Sequence, residues 1–191
     1  GGVFSFVEGL SLVKARAEAM QYAGEVNPGT MAAIVGLADE DVRQICSNAS
    51  SEGVVVPANY NSPGQLAISG SVPAVRKAIE IAKARGAKLA KELSVSGAFH
   101  SSLMKPAADA LACALASAHL SKPVFPVIAN VTAKPHETAE TVRRLLAEQL
   151  LSPVRWTESL LEMAQIENVR WYEVGSGSVL AGLLKRTIQG V

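Results

Sequence analysis

Apolar residues recur at helical spacing from the start of the chain. Phe6, Leu10, Val13, Ala17 and Met20 fall on one face, which predicts an amphipathic helix. Ser5 and Glu8 form an S-x-x-E capping box at its start,, and GEVNPGT ends it. MAAIVGL then reads as a short apolar strand. Asp39, Glu40 and Asp41 open a helix whose inner face is Val42, Ile45, Cys46 and Ala49, with negative charge where the helix dipole favours it. VVVPANY and QLAISG are strand-like and flank the turn NSPG, which predicts a hairpin. Ser71 caps the next helix, Pro73 fits its first turn and Gly86 stops it,. KLAKELSV completes a βαββαβ series, the ferredoxin-like arrangement.

Beyond it the pattern changes to longer helices. Met104, Ala108, Leu111 and Leu115 share a face, and Pro106 falls near that helix's start, where proline is tolerated. PVFPVIANV and VRWYEV read as buried strands. Helices begin at Thr138, after SPVRW, and after the turn GSGS. Alternating strands and helices predict a parallel sheet covered by helices. The expected fold is therefore α/β: a parallel-sheet, α/β-hydrolase-like body over 1–28 and 97–191, with a ferredoxin-like subdomain inserted at 29–96.

With 191 residues, 49% hydrophobic and 18% charged, the chain is able to bury a sizeable core. The net charge is +1 and no like-charge run forms a nucleic-acid footprint,. The two cysteines, Cys46 and Cys113, both fall in helical patterns and make neither a disulfide framework nor a metal spacing. No apolar run approaches the ~18 residues of a membrane span. The start, GGVFSF, lacks a basic region and is not expected to be a signal peptide,. A chain that opens on Gly-Gly and apolar residues looks cut from something longer.

Three features bear on chemistry. His100, one of only three histidines, follows a strand-like run in SVSGAFHSSLMKP, a place where α/β proteins put their sites. Its ordinary pKa suits proton transfer, although capping or packing would also explain it. Arg16 sits at the edge of the first helix's apolar stripe. There it either covers apolar surface with its stem or grips a carboxylate through two parallel hydrogen bonds. GSGS precedes a helix as phosphate loops do, yet position 180 is Leu and the full glycine motif is missing,. No G-x-S-x-G elbow occurs, and Asn59, Asn61 and Gln65 around NSPG read as turn chemistry,.

Together these stretches resemble the malonyl-CoA:acyl carrier protein transacylase family over nearly the whole chain. The similarity lies in LVKARAEAMQ, MAAIVGL, NYNSPGQLAISG, VSGAFHSSLMKPA, EQLLSPVRW and YEVGSGSVLAGLLKR. Ser176 departs from the proline usual in that last signature. The resemblance implies His100 as the general base, oriented by the backbone carbonyl of Gln149. It implies Arg16 as the malonate-binding residue, with Met20, Phe99 and Asn61 also lining the substrate site. Phe99, in GAFH, resembles the malonyl-selecting pattern and would exclude an α-methyl group. The family's serine nucleophile lies in G-H-S-x-G upstream of the helix carrying Arg16. That motif does not occur here, so these residues are expected to be inactive alone.

The resemblance further implies fatty acid biosynthesis, malonyl-CoA and acyl carrier protein as partners, no cofactor and no metal, and a monomer. Lys185 and Arg186 would steer an acidic carrier. The location would be cytoplasmic, or plastid or mitochondrial in a eukaryote. A polyketide-type acyltransferase domain, an esterase and a truncated non-catalytic form are the competing readings.

Overall fold

The computed structural model describes residues 1–190. Helix α1 runs Phe6–Val26 and begins as the sequence predicts: Ser5 accepts from the Glu8 amide while the Glu8 carboxylate accepts from Ser5 N–H. Strands β1 (Thr30–Val35), β2 (Val55–Ser62), β3 (Gln65–Gly70) and β4 (Leu89–Glu92) form one antiparallel sheet in the order β2-β3-β1-β4. Pro63 and Gly64 make the two-residue link of the β2–β3 hairpin. Gly64 takes a φ of 71°, where an L side chain is strained. Helices α2 (Asp39–Ala49) and α3 (Val72–Ala84) cover one face of the sheet. Ile34, Val42, Ile45, Leu66, Ile68 and Val75 are fully buried between them. Burying each such side chain is worth about 1.5–3 kcal/mol.

The other face of the sheet carries the cluster Met31, Ala58 and Ala67, and Phe99 packs against it. Phe99 also packs against a second core built from Ala23 of α1, Met104, and Ala107, Leu111 and Leu115 of α4 (Lys105–Ser117). One ring thus joins the sheet to the helical layer. A further tie lies at the open edge of β2. Tyr60 N–H donates to the Val154 carbonyl at 2.9 Å and Val154 N–H to the Ala58 carbonyl at 2.8 Å. Helices α5 (Ala139–Glu148), α6 (Trp156–Met163) and α7 (Val179–Thr187) complete the chain. Among the described residues no helix is long and apolar enough to cross a membrane.

Two expectations need correction. First, the α1 face formed by Phe6, Leu10, Val13 and Ala17 is exposed, Phe6 by 85%. The packed stripe is Leu12, Ala19, Met20 and Ala23. The helix is apolar on two sides, and periodicity alone does not say which side meets α4. Second, 123–131 and 169–174 form no strands, and no parallel sheet occurs among the described residues. A strand exists only if its backbone finds a ladder partner; here no neighbouring strand lies alongside either segment. Pro123 and Pro126 also lack the N–H a ladder requires. Part of the first segment instead folds back on itself: His136 N–H donates to the Val127 carbonyl and Ala129 N–H to the Lys134 carbonyl, both at 2.9 Å.

Candidate active site

Four pieces of chain meet at His100: α1, the turn 96–104, the end of α5 and the segment after it. The turn approaches α1 closely. A Cβ on Gly24 would lie 2.6 Å from the Ser96 carbonyl oxygen, so only glycine permits the contact. His100 itself has a φ of 61°, a left-handed conformation that is uncommon for a residue with a side chain. Ser101 is buried next to it. Its hydroxyl donates to the Ala98 carbonyl at 2.7 Å and accepts from Leu103 N–H at 3.3 Å. Asn27, at the end of α1, donates from Nδ2 to the Leu103 carbonyl at 3.0 Å.

The imidazole is half-buried, with Nδ1 2.9 Å from the Gln149 carbonyl oxygen. A carbonyl only accepts, so Nδ1 carries the proton and Nε2 has its lone pair free. The Gln149 side-chain Nε2 lies 3.4 Å from the same Nδ1. Two donors facing one another make no bond, and that amide donates instead to the Ser152 carbonyl at 3.3 Å. The Gln149 carbonyl is available because Gln149 ends α5, and the last carbonyls of a helix have no partner within it. Burial lowers the His100 pKa below its ordinary 6.5. The Gln149 carbonyl opposes that shift, and the positive charge of Arg16 adds to it.

Arg16 is half-buried, and burial lowers its pKa. It remains a cation, since guanidinium does not deprotonate in proteins. Among the described residues Arg16, Arg85, Arg170 and Arg186 form no ion pair, and of these Arg16 alone is half-buried rather than exposed. It borders two clefts. One, about 580 Å³, is also lined by Met20, Gly24, Ser96 and Phe99. The other, about 600 Å³, is largely apolar, with Leu10, Val13, Leu111, Val142 and Gln149 among its walls. Arg16, Met20 and Phe99 thus share a cleft; His100 lines neither cleft and is tied to the second one through its bond to the Gln149 carbonyl. Asn61 lies half-buried in β2 and lines neither cleft.

The remaining candidates have simple structural roles. The Glu173 carboxylate accepts from Leu180 N–H at 3.1 Å and Ala181 N–H at 2.8 Å. It occupies the helix-end amides after GSGS that a phosphate would use. Arg186 donates to the Gln65 side-chain oxygen at 3.1 Å. Burial pushes the Cys46 thiol up to about 12, which leaves it unreactive. Sequence reasoning missed Ser101 and Asn27. The signal available was a hydroxyl beside a histidine at a strand end, and only the turn's geometry gives it meaning.

A carbonyl-oriented imidazole within electrostatic reach of an unpaired guanidinium is suited to moving a proton near a bound anion. The chain belongs to the acyl transferase domain family, whose pattern it matches over residues 2–191. It is 44% identical over 187 residues to the malonyl CoA-acyl carrier protein transacylase of Escherichia coli K12, covering 98% of this chain and 60% of that one. A solved malonyl CoA-acyl carrier protein transacylase from Coxiella burnetii superposes with a TM-score of 0.95 at 41% identity, over 99% of this chain and 60% of that one. A type II PKS acyl-carrier protein in complex with its malonyl-transacylase contains a chain with a TM-score of 0.93 at 41% identity, covered over 98% of this chain and 60% of that one. Polyketide biosynthesis protein ThaF of Burkholderia thailandensis is 38% identical over 98% of this chain and 16% of its own length. The chain spans about 60% of the length of the curated transacylases it matches.

Proposed function

We propose that this chain supplies the base and the carboxylate clamp of an enzyme that moves a malonyl group from malonyl-CoA to the phosphopantetheine thiol of an acyl carrier protein, for fatty acid biosynthesis. The observation that carries this reading is a carbonyl-oriented His100 that feels the charge of an unpaired, half-buried Arg16. The attacking serine is proposed to come from outside these residues. Among the described residues no hydroxyl hydrogen-bonds His100, and Ser101 is committed to Ala98 and Leu103. These residues alone are therefore expected not to turn over.

In this mechanism Nε2 of His100 takes the serine proton as the serine oxygen attacks the thioester carbonyl. The carbon–sulfur bond then breaks, and the imidazolium returns the proton to the CoA thiolate. The second half repeats these steps with the carrier thiol attacking the acyl-serine. The imidazolium is stabilised by the Gln149 carbonyl at the negative end of α5,. A carbonyl does this without the full charge of a triad aspartate. Arg16 holds the malonyl carboxylate, while Met20, Phe99 and, more remotely, Asn61 complete the substrate surroundings.

The reading extends to architecture: 29–96 is a ferredoxin-like subdomain, and 1–28 with 97–191 are proposed to belong to an α/β-hydrolase-like body whose sheet would need strands from outside the described residues. The topology β2-β3-β1-β4 supports the first part. The enzyme is proposed to act as a monomer without a metal or cofactor, in the cytoplasm or, in a eukaryote, in a plastid or mitochondrion. The similarity to ThaF favours one second reading, in which the same transfer loads a polyketide carrier.

A direct test joins this chain to the serine-bearing segment of its gene and supplies malonyl-CoA with or without phosphopantetheinylated carrier protein. Malonyl-carrier should form, followed by mass spectrometry, with little free malonate when carrier is omitted. Hydrolysis at equal speed without carrier would make the protein an esterase instead.

Phe99 gives a separate expectation. Phe99→Ser should admit methylmalonyl-CoA, measured by competition with malonyl-CoA. It should also lower stability by about 3 kcal/mol, the low end for truncating a phenylalanine because the ring between the two cores is only half-buried,. Unchanged selectivity would remove Phe99 from the substrate account.

A further inference from the structure

The backbone at His100 is held at a positive φ that is uncommon for a residue with a side chain, and one side chain spans it,. The Ser101 hydroxyl reaches back to the Ala98 carbonyl at 2.7 Å and receives Leu103 N–H at 3.3 Å. His100, with its φ of 61°, lies between these anchors. Ser101 is 1% exposed, so water does not replace either bond if the hydroxyl is lost. Asn27 pins the far end of the same turn through the Leu103 carbonyl at 3.0 Å. A left-handed residue released from such a turn relaxes toward the ordinary regions. Relaxation would swing Cβ and carry the ring away from the Gln149 carbonyl, 2.9 Å from Nδ1.

We propose that Ser101 is a positioning residue for acyl transfer. Its hydroxyl holds the His100 backbone left-handed, and through that backbone it sets the tautomer and aim of the imidazole. Ser101 touches neither substrate nor the reacting atoms; it acts only through His100. This rests on the reading of His100 as the general base.

The test uses the complete protein that contains this chain, with Ser101→Ala and Ser101→Cys. Nitrogen and proton NMR of the imidazole reports whether Nδ1 still carries the proton and still donates to Gln149, whatever the activity. In Ser101→Ala the Nδ1–H signal should weaken and both tautomers should appear. Turnover should fall roughly 10- to 100-fold, the scale of a displaced catalytic group. KM for malonyl-CoA should stay within about twofold, since uniform binding is untouched. Cysteine, close in volume and a weaker donor, should fall between, and it carries the test if the alanine variant does not fold. A folded variant with an unchanged His100 spectrum overturns the proposal. A changed spectrum with unchanged turnover leaves the positioning intact and instead counts against His100 as the base.

Discussion

Arg16→Ala in the complete protein is expected to reduce malonyl transfer by about 10²- to 10³-fold while acetyl transfer is unchanged or faster. Each charge-assisted hydrogen bond to a carboxylate contributes about 1.5–3 kcal/mol, and a bidentate pair supplies two. Because Arg16 is only half-buried, solvent screening favours the lower half of that range, about 3–4 kcal/mol for the pair. Tenfold in rate corresponds to about 1.36 kcal/mol, which gives the stated factor. Acetyl offers no carboxylate, so the guanidinium stays unpaired when acetyl binds, and its removal relieves that cost. The measurement is kcat/KM for malonyl-CoA and acetyl-CoA side by side. Equal losses for both would show that Arg16 supports the fold or CoA binding rather than the acyl carboxylate. Arg16→Lys separates geometry from charge. It should recover only part of the loss, since an ammonium lacks the planar fork.

Local signals in the sequence were strong wherever the determining contacts were close along the chain. The Ser5–Glu8 box, the acidic start of α2, the Pro-Gly hairpin and the stop at Gly86 all depend on neighbours within a few residues. What failed depended on partners distant in sequence. The side of α1 that packs was decided by α4, some ninety positions away. The apolar runs at 123–131 and 169–174 have strand composition, but composition supplies no ladder partner. The site was half-legible. His100 and Arg16 stood out by residue type and position, and the motifs around them carried the resemblance. The 2.9 Å bond to a helix-end carbonyl was suggested only by that resemblance. The work of Ser101 and Asn27 follows from a backbone angle, and composition does not encode it.

His100→Ala is expected to lower transfer by about 10²- to 10⁴-fold, the contribution of a positioned general base, with KM for malonyl-CoA little changed. The pH dependence gives a sharper check than the loss itself. Acylation requires a neutral imidazole, so kcat/KM falls as pH drops through the pKa of His100 in the free enzyme. Burial, and secondarily the charge of Arg16, hold that pKa below 6.5. The acid limb should therefore lie below 6.5 and the rate should be flat through neutral pH. Removing the Arg16 charge removes one of the two lowering influences. The residual activity of Arg16→Ala should then show an acid limb shifted to higher pH, although no titrating group has been lost. The same depression has a sign for folding. A histidine whose pKa is lower in the folded state contributes stability above its unfolded pKa and loses it as pH falls. Acid should thus weaken the His100 turn as well as silence it, and an acid limb at or above 6.5 would place the imidazole in solvent rather than between Gln149 and Arg16.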